Sequence, residues 1–293
     1  MKSRELKALI AVAEELHFGR AAERLGMAQP QLSALIRRIE ADTRVTLFIR
    51  RPHVRLTHGG AALVDTAREM LAGLEAGVQR ARAIAAGRAG RVKLGFSPVA
   101  MCSDLPEMLR SFAEAHPDVE LDLCEGTTAP LQRRLEQAAL DVIITREAPQ
   151  DETTASLRFA FDHINLILPA RHPAAAAAGS VEPGRLRGEA FTLFPRAAAP
   201  EYHDRIMRWA ADAGLQPVLS RETDSWMASI AFVGAGLALA FGTDLLSRIA
   251  VPGIVYRNLA APPLDVSFWM SWQPGRLSPA ALRFVEHVRA TRP

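Results

Sequence analysis

The apolar periodicity of this 293-residue chain changes once, and that change constrains the fold more than any other feature. Up to about residue 86, apolar residues recur every three to four positions, as on amphipathic helices. Beyond Gly87-Arg88-Ala89-Gly90, short apolar strands alternate with helices. A helical front joined to an α/β back of this length predicts at least two domains. Charge divides at nearly the same place. Residues 1–93 hold 17 Lys and Arg against 9 Asp and Glu, whereas residues 94–293 hold 18 against 23. A basic front suits a polyanionic partner, and an acidic back does not.

Composition excludes several classes. Apolar residues make up 49% of the chain and charged residues 23%, enough to bury a sizeable core. Two cysteines, Cys102 and Cys124, leave no disulfide framework and no Cys-rich zinc site. The first residues, Met1-Lys-Ser-Arg-Glu-Leu-Lys, carry charge where a signal peptide needs an apolar core, so a cytoplasmic location is expected. The longest uncharged run, residues 225–243, is interrupted by Gly234, Gly236 and Gly242. It reads as a buried helix followed by a strand, not as a membrane span.

In the front, residues 4–16 place Leu6, Leu9, Ile10 and Ala13 on one helical face. A second, short helix over residues 19–26 stops at Gly26, and Gln29-Pro30 opens a third. Leu32, Leu35, Ile36 and Ile39 of the third helix face inward. Pro30, Ser33, Ala34 and Arg37 lie opposite, with Arg38 at the margin. This is a helix-turn-helix layout with a polar, basic outer face. Two β-prone runs, 45–50 and 53–57, flank Arg50-Arg51-Pro52 and read as a wing whose arginines reach a phosphate backbone. The bland alternative is a three-helix bundle with a solvated arginine face.

One long helix is expected over residues 61–86. Val64, Ala67, Leu71, Leu74, Val78, Ala81 and Ala85 step along it by alternating threes and fours, the seam of a two-helix contact. Dimerisation through this seam, or packing of the helix on its own domain, would each bury it. Beyond the hinge, strands are expected at 92–96, 119–124, 140–145, 164–168, 190–194, 218–222, 237–241, 254–258 and 266–272. Helices are expected at 105–115, 129–139, 201–213, 225–236 and 279–289. The alternation predicts parallel sheets with crossovers, too many units for one sheet. Two α/β lobes with a cleft between them follow. Enzyme motifs are missing: no Gly-x-Ser-x-Gly, no His-Glu-x-x-His, and eight histidines without metal-ligand spacing. Gly234-Ala-Gly236 is similar to a dinucleotide loop but ends a helix. No catalytic residue, metal or cofactor is expected. No charged pair flanks either cysteine to lower its pKa, so a redox sensor is not expected.

The residues Phe18-Gly-Arg-Ala-Ala-Glu-Arg-Leu-Gly-Met-Ala-Gln-Pro-Gln-Leu-Ser-Ala-Leu-Ile-Arg-Arg-Ile-Glu, Leu47-Phe-Ile-Arg-Arg and Val54-Arg-Leu-Thr-His-Gly-Gly resemble the LysR-type transcriptional regulators. Phe112-Ala-Glu-Ala-His-Pro-Asp-Val-Glu-Leu, Leu140-Asp-Val and Phe232-Val-Gly-Ala-Gly-Leu-Ala-Leu extend the likeness over essentially the whole chain. The resemblance implies an α/β protein with an N-terminal winged helix-turn-helix (1–58), a dimerising linker helix and hinge (59–90), and an effector-binding domain (91–293). That last domain resembles type 2 periplasmic binding proteins, with lobe one at 91–160 and 266–293 and lobe two at 161–265. The implied function is sequence-specific DNA binding modulated by a small ligand held between the lobes. The alternative is a ligand-binding or metabolic α/β protein with an appended DNA-binding-like domain. Implied partners are double-stranded DNA, an organic-acid effector, further copies of the chain up to a tetramer, and RNA polymerase.

Carried onto this sequence, the DNA-contacting positions are Arg20, Gln29, Pro30, Gln31, Ser33, Arg37, Arg38, Arg50 and Arg51. The effector domain is most similar to regulators that respond to aromatic acids or muconate. Its implied ligand residues are Ser97, Val99, Thr127, Thr128, Arg146, Tyr202 and Trp226. Thr128 would give a hydroxyl, Arg146 a counter-charge, and Tyr202 and Trp226 would close over the ligand. Three bland roles compete: Arg146 in an ion pair between lobes, Thr128 as a helix N-cap, and Trp226 in the core. The chain departs from the family at Arg44, where a Gly usually ends the recognition helix. It departs again at Ala28, where a hydroxyl usually precedes Gln29, and at Ala34, where many members have Arg. Pro98-Val99 also replaces a Gly and Ser of the aromatic-acid subset, leaving Ser97 to substitute.

Overall fold

A computed structural model describes residues 1–149, 151–176, 179–223 and 225–291. Two units emerge, Met1–Ala83 and Ile84–Pro293, so most of the long helix belongs to the first.

In the first unit, α1 (Ser3–Glu15), α2 (Phe18–Arg24) and α3 (Gln29–Thr43) bury Leu6, Leu9, Val12, Ala21, Leu32, Ile36 and Ile39 against one another. Leu35, expected inward, is only partly buried. His17 caps α2, its Nδ1 accepting the Gly19 and Arg20 N–H groups at 3.1 and 3.2 Å. Both departures at the ends of α3 have structural consequences. Ala28 is its N-cap and supplies no side-chain bond. Arg44 takes the left-handed conformation usually left to glycine, φ 55°. Its N–H reaches Ala41 O, and Val45 N–H reaches Glu40 O, so the two-bond helix stop is built without glycine. The wing is shorter than expected: β1 (Phe48–Ile49) pairs antiparallel with β2 (Arg55–Leu56). Gly60 is needed where it stands, since a Cβ there would lie 2.1 Å from the Leu47 carbonyl oxygen.

The long helix α4 runs His58–Ala85. Its seam divides in two. Val64 and Ala67 are buried with the α1–α3 core, and Leu71 packs at its edge. Leu74 and Val78 are 56% and 41% exposed, and Ala81 and Ala85 are exposed too. Packing on its own domain therefore accounts for the first half of the seam only.

The second unit contains two five-stranded sheets. The first has order β4-β3-β5-β12-β6, from β3 (Gly90–Phe96), β4 (Val119–Glu125), β5 (Val142–Thr145), β6 (Ala155–Ala160) and β12 (Phe268–Trp272). The second has order β11-β7-β10-β8-β9, from β7 (Ile164–Pro169), β8 (Ala190–Leu193), β9 (Val218–Glu222), β10 (Leu239–Thr243) and β11 (Ile254–Arg257). The expected all-parallel sheets are corrected here: in each sheet one strand runs against its neighbours, β12 in the first and β7 in the second. Both follow a crossing between lobes, so each enters its sheet from the opposite end. Strand β6 was not foreseen in the sequence.

Helices α5 (Leu105–Ala115) and α9 (Pro279–Thr291) cover one face of the first sheet through Leu105, Met108, Phe112, Phe284 and Val288. The other face is covered by α6 (Thr128–Glu136) through Leu131 and Leu135. In lobe two, α7 (Pro200–Asp212) and α8 (Trp226–Gly234) pack through Ile206 and Ala210, and through Ile230 and Val233. The two crossings pair with each other: Val266 N–H donates to Asp162 O at 2.8 Å and Ile164 N–H to Leu264 O at 3.1 Å. This short two-stranded strap is the hinge between lobes. No helix among the described residues is long and apolar enough to cross a membrane.

Candidate functional site

The outer face of α3 is polar and open. Gln29, Pro30, Gln31, Arg37 and Arg38 are exposed, and Ser33 is half-buried. Among the described residues Arg37 and Arg51 have no acidic partner, so both cations are available. Arg38 lies 3.7 Å from Asp42 in an exposed pair, a weak tie. Arg20 is turned back toward α1, its Nη2 donating to the Glu15 carbonyl at 2.6 Å and its Nε to the Glu15 carboxylate at 3.2 Å.

Sequence reasoning passed over Glu40, which fixes the wing to α3. One carboxylate oxygen accepts the Leu47 and Phe48 N–H groups at 2.9 and 3.2 Å, and the other accepts Arg50 at 2.8 Å. Arg50 also lies 5.4 Å from the Phe18 ring centre. Arg50 is thus a strut of the wing more than a free cation. The signal was an acid among arginines, which reads equally well as a solvated pair.

All seven residues expected around a ligand line one cleft between the lobes: Ser97, Val99, Thr127, Thr128, Arg146, Tyr202 and Trp226. The cleft encloses about 890 Å³, counting its open mouth. Apolar walls come from Ile167, Phe194, Tyr202, Trp226 and Phe241. The Phe194 and Tyr202 rings stack at 5.0 Å. Thr192 also lines the cleft. It is buried and its Oγ1 has no hydrogen-bond partner among the described residues. Buried hydroxyls are normally paired, so this one is poised for a ligand or water. The N-cap of α6 is Thr127, not Thr128, and it makes no side-chain bond to the first turn. The N–H groups that begin α6 therefore remain available to an anion.

Arg146 is not a free counter-charge. Its Nη2 donates to Asp162 at 2.8 Å, with 6% and 0% of the two side chains exposed. Its Nη1 donates to the Val266 carbonyl. The guanidinium lies 4.1 Å from the Phe268 ring centre and 5.3 Å from that of Tyr202. Asp162 in turn accepts the Leu245 and His163 N–H groups at 2.9 and 3.1 Å. Arg146 thus clamps both crossings of the hinge while bordering the cleft. Trp226, weighed as either core or ligand contact, is half-buried and does both: it packs against the α8 core and lines the cleft. Burial pushes the Tyr202 hydroxyl and the Cys102 thiol above their usual ranges, which disfavours a reactive thiolate at Cys102. Cys124 does have a charged neighbour, Arg134, whose Nη1 lies 2.9 Å from the sulfur.

Glu147 ties lobe one to lobe two by accepting the Tyr202 N–H at 2.8 Å at the start of α7. Burial, then the nearby Glu201 charge, pushes its carboxyl above the ordinary range. A folded-state value raised above the unfolded one makes the native state bind a proton more tightly, so this group costs stability as pH rises through that range. Glu147→Gln keeps an acceptor for Tyr202 and removes the buried charge. We expect the variant to be more stable than wild type at pH 7 and the difference to shrink as pH falls toward 4, read by urea unfolding at several pH values.

Comparison with known proteins places both halves. Residues 3–61 match the family described as bacterial regulatory helix-turn-helix protein, lysR family, and residues 85–293 match the LysR substrate binding domain. The chain is 34% identical to the HTH-type transcriptional regulator IlvR of Caulobacter vibrioides over 90% of each chain. It is 31% identical to XapR of Escherichia coli, covering 96% of this chain and 95% of that one. The solved structure of full-length CbnR complexed with its target DNA superposes with a TM-score of 0.83 at 26% identity, covering 99% of both chains. Full-length BenM shares the fold, with a TM-score of 0.60 at 23% identity. An exposed basic recognition helix, a wing, and a two-lobed domain built around a cleft agree with these relatives, which are regulators and not enzymes. The chain belongs to the LysR family of DNA-binding transcriptional regulators, with a substrate-binding domain for a small-molecule ligand.

Proposed function

We propose that this regulator responds to a small organic acid with an aromatic or unsaturated body, bound in the inter-lobe cleft. The observation that carries this reading is the cleft lining. Hydroxyls of Ser97, Thr127, Thr128 and Thr192 and the uncapped start of α6 face a chamber walled by Phe194, Tyr202 and Trp226. Because Arg146 is already neutralised by Asp162, the carboxylate is met by hydroxyls and helix N–H groups, and Arg146 acts on the hinge.

A thermal-shift screen of benzoate- and muconate-like acids tests the ligand class. A ligand at 100 times its Kd stabilises by about 2.7 kcal/mol. We expect a saturable rise in Tm, with Kd weakened at least tenfold by Thr128→Val, which keeps shape and removes the hydroxyl. No shift with any acid removes the acid class and leaves neutral or cationic effectors.

On DNA, the domains act as 1–58 for reading, 59–90 for pairing copies, and 91–293 for sensing. Copies paired through α4, and doubled again to a tetramer, would read pseudo-palindromic half-sites in the cytoplasm, with RNA polymerase as the downstream partner. Ligand binding shifts the population of lobe arrangements and so the spacing of the heads. We assign base reading to Gln29, with Pro30, Gln31 and Ser33 beside it. Phosphate contact falls to Arg37, Arg38, Arg51 and the more restrained Arg20 and Arg50. Gln29→Ala is expected to cost about 1–3 kcal/mol on the operator and nothing on random DNA. Arg37→Ala is expected to weaken both equally and to reduce the salt slope by about 1. Equal losses for Gln29→Ala on the two DNAs, measured by anisotropy titration, would remove it from base reading.

A further inference from the structure

A second cavity opens on the far flank of α6. Its floor is the first sheet, where Ile143 of β5 and Ser271 of β12 are cross-strand partners on the face that α6 covers. Its walls are α6, the start of α7 and residues of the segment after β5, among them Glu147 and Asp151. It encloses about 1010 Å³, counting its mouth. Four acids line it, Glu136, Glu147, Asp151 and Glu201, and none of the described lining residues is basic. At the floor, Ser271 is 1% exposed, and its Oγ has no partner among the described residues.

These features select a ligand class. Four carboxylates around one apolar-floored chamber create a negative potential that favours a cation. The buried Ser271 hydroxyl is unpaired at the floor, and its oxygen can accept from an N–H donor of such a cation. The acidic side chains are too dispersed to hold a bare ion: no group of metal-ligating side chains occurs among the described residues. Leu135 and Ile143 offer apolar surface, which a hydrated ion does not use. Two guanidinium groups lie beside the chamber without lining it: Arg205 donates to the Asp265 carbonyl and Arg276 to the Glu136 carbonyl, so the four carboxylates outnumber the nearby cations. Burial pushes the Glu147 carboxyl up, and a cation in the chamber would bring it down again.

We propose that this chamber is a second ligand site, for a small organic cation. Its alkyl body lies on Leu135 and Ile143, and its ammonium or guanidinium group meets Glu136 and Glu201 and donates to Ser271. The site is separate from the acid-binding cleft and does not rest on that reading. Both cavities, however, border the first turn of α7, where Glu201 lines one and Tyr202 the other.

The test uses the full-length protein with 1,4-diaminobutane and agmatine as probes, and with 1-butanol and sodium chloride of matched ionic strength as controls. Binding is read as a saturable change in Tm. Glu136→Gln changes an exposed side chain, and Ser271→Ala removes only a hydroxyl, so both variants should keep the fold. We expect a saturable rise with either cation and neither control, and a Kd weakened at least tenfold in each variant. Any acid that shifts Tm through the cleft keeps its effect in Glu136→Gln. No saturable rise up to about 10 mM, weaker than millimolar affinity, would overturn the proposal. So would a rise that both variants leave undiminished.

Discussion

Arg146→Ala is expected to destabilise the effector domain by about 3–5 kcal/mol, the cost of leaving a buried charge without its partner. Asp162 would stay at the hinge with no exposed side-chain surface and no counter-ion. The Val266 carbonyl on the opposite crossing would lose its donor as well. Against a total stability of about 5–15 kcal/mol, this loss is large. The variant is therefore a poor probe of ligand contact, because any loss of binding follows from a weakened hinge. Arg146→Met with Asp162→Asn separates the two effects. The amide oxygen introduced by Asp162→Asn would still accept the Leu245 and His163 N–H groups, and Met keeps apolar contact with Phe268 and Tyr202. The double variant should regain most of the lost stability in urea unfolding, a coupling that double-mutant analysis reads directly. A loss below about 1 kcal/mol for Arg146→Ala alone would mean that water already reaches the pair.

Leu74→Arg with Val78→Arg is expected to break the pairing of copies through α4 and so to lower the mass of the self-associated protein. These two positions carry the exposed half of the α4 seam, with Met70 and Ile84 exposed beside it at 54% and 44%. An apolar stripe of this kind on a surface helix marks a contact with another copy. Both positions lie outside the core that holds α1–α4 together, so helix content should be unchanged by circular dichroism. Loss of pairing removes the effective-concentration gain of two linked heads. Affinity for a two-half-site operator should fall by about 10²–10⁴, while binding to an isolated half-site is kept. An unchanged sedimentation mass would place self-association elsewhere.

Elements with strong local periodicity were legible in the sequence. The apolar spacing placed a helix over 105–115, where α5 spans Leu105–Ala115. The three front helices were likewise readable from Leu6, Leu9, Leu32 and Ile36. The seven residues that the family resemblance implies for the ligand cleft all line it, because a chain that shares the family's fold brings the same positions to the same strand ends and helix starts. What the sequence concealed depends on distant partners. Arg146 meets Val266 across 120 positions, so nothing near Arg146 announces that its charge is already used. Strand β6, Ala155–Ala160, includes Arg158 and Ser156, and it is recruited only because β12 returns beside it. The reversal of β7 and β12 likewise follows from the lobe crossings, which local periodicity does not encode. Glu40 looked like one more surface acid until the wing folded onto it.

If the occupant of the cleft sets how the basic heads grip DNA, quantitative footprinting of the full-length protein on its own upstream DNA reveals it most directly. The footprint is compared with and without an acid that saturates the thermal shift. Two protected half-sites are expected, with an extent or spacing that changes when the acid is added, and the change should be lost in Thr128→Val. A footprint identical at every acid concentration, while the acid demonstrably fills the cleft, would contradict this coupling.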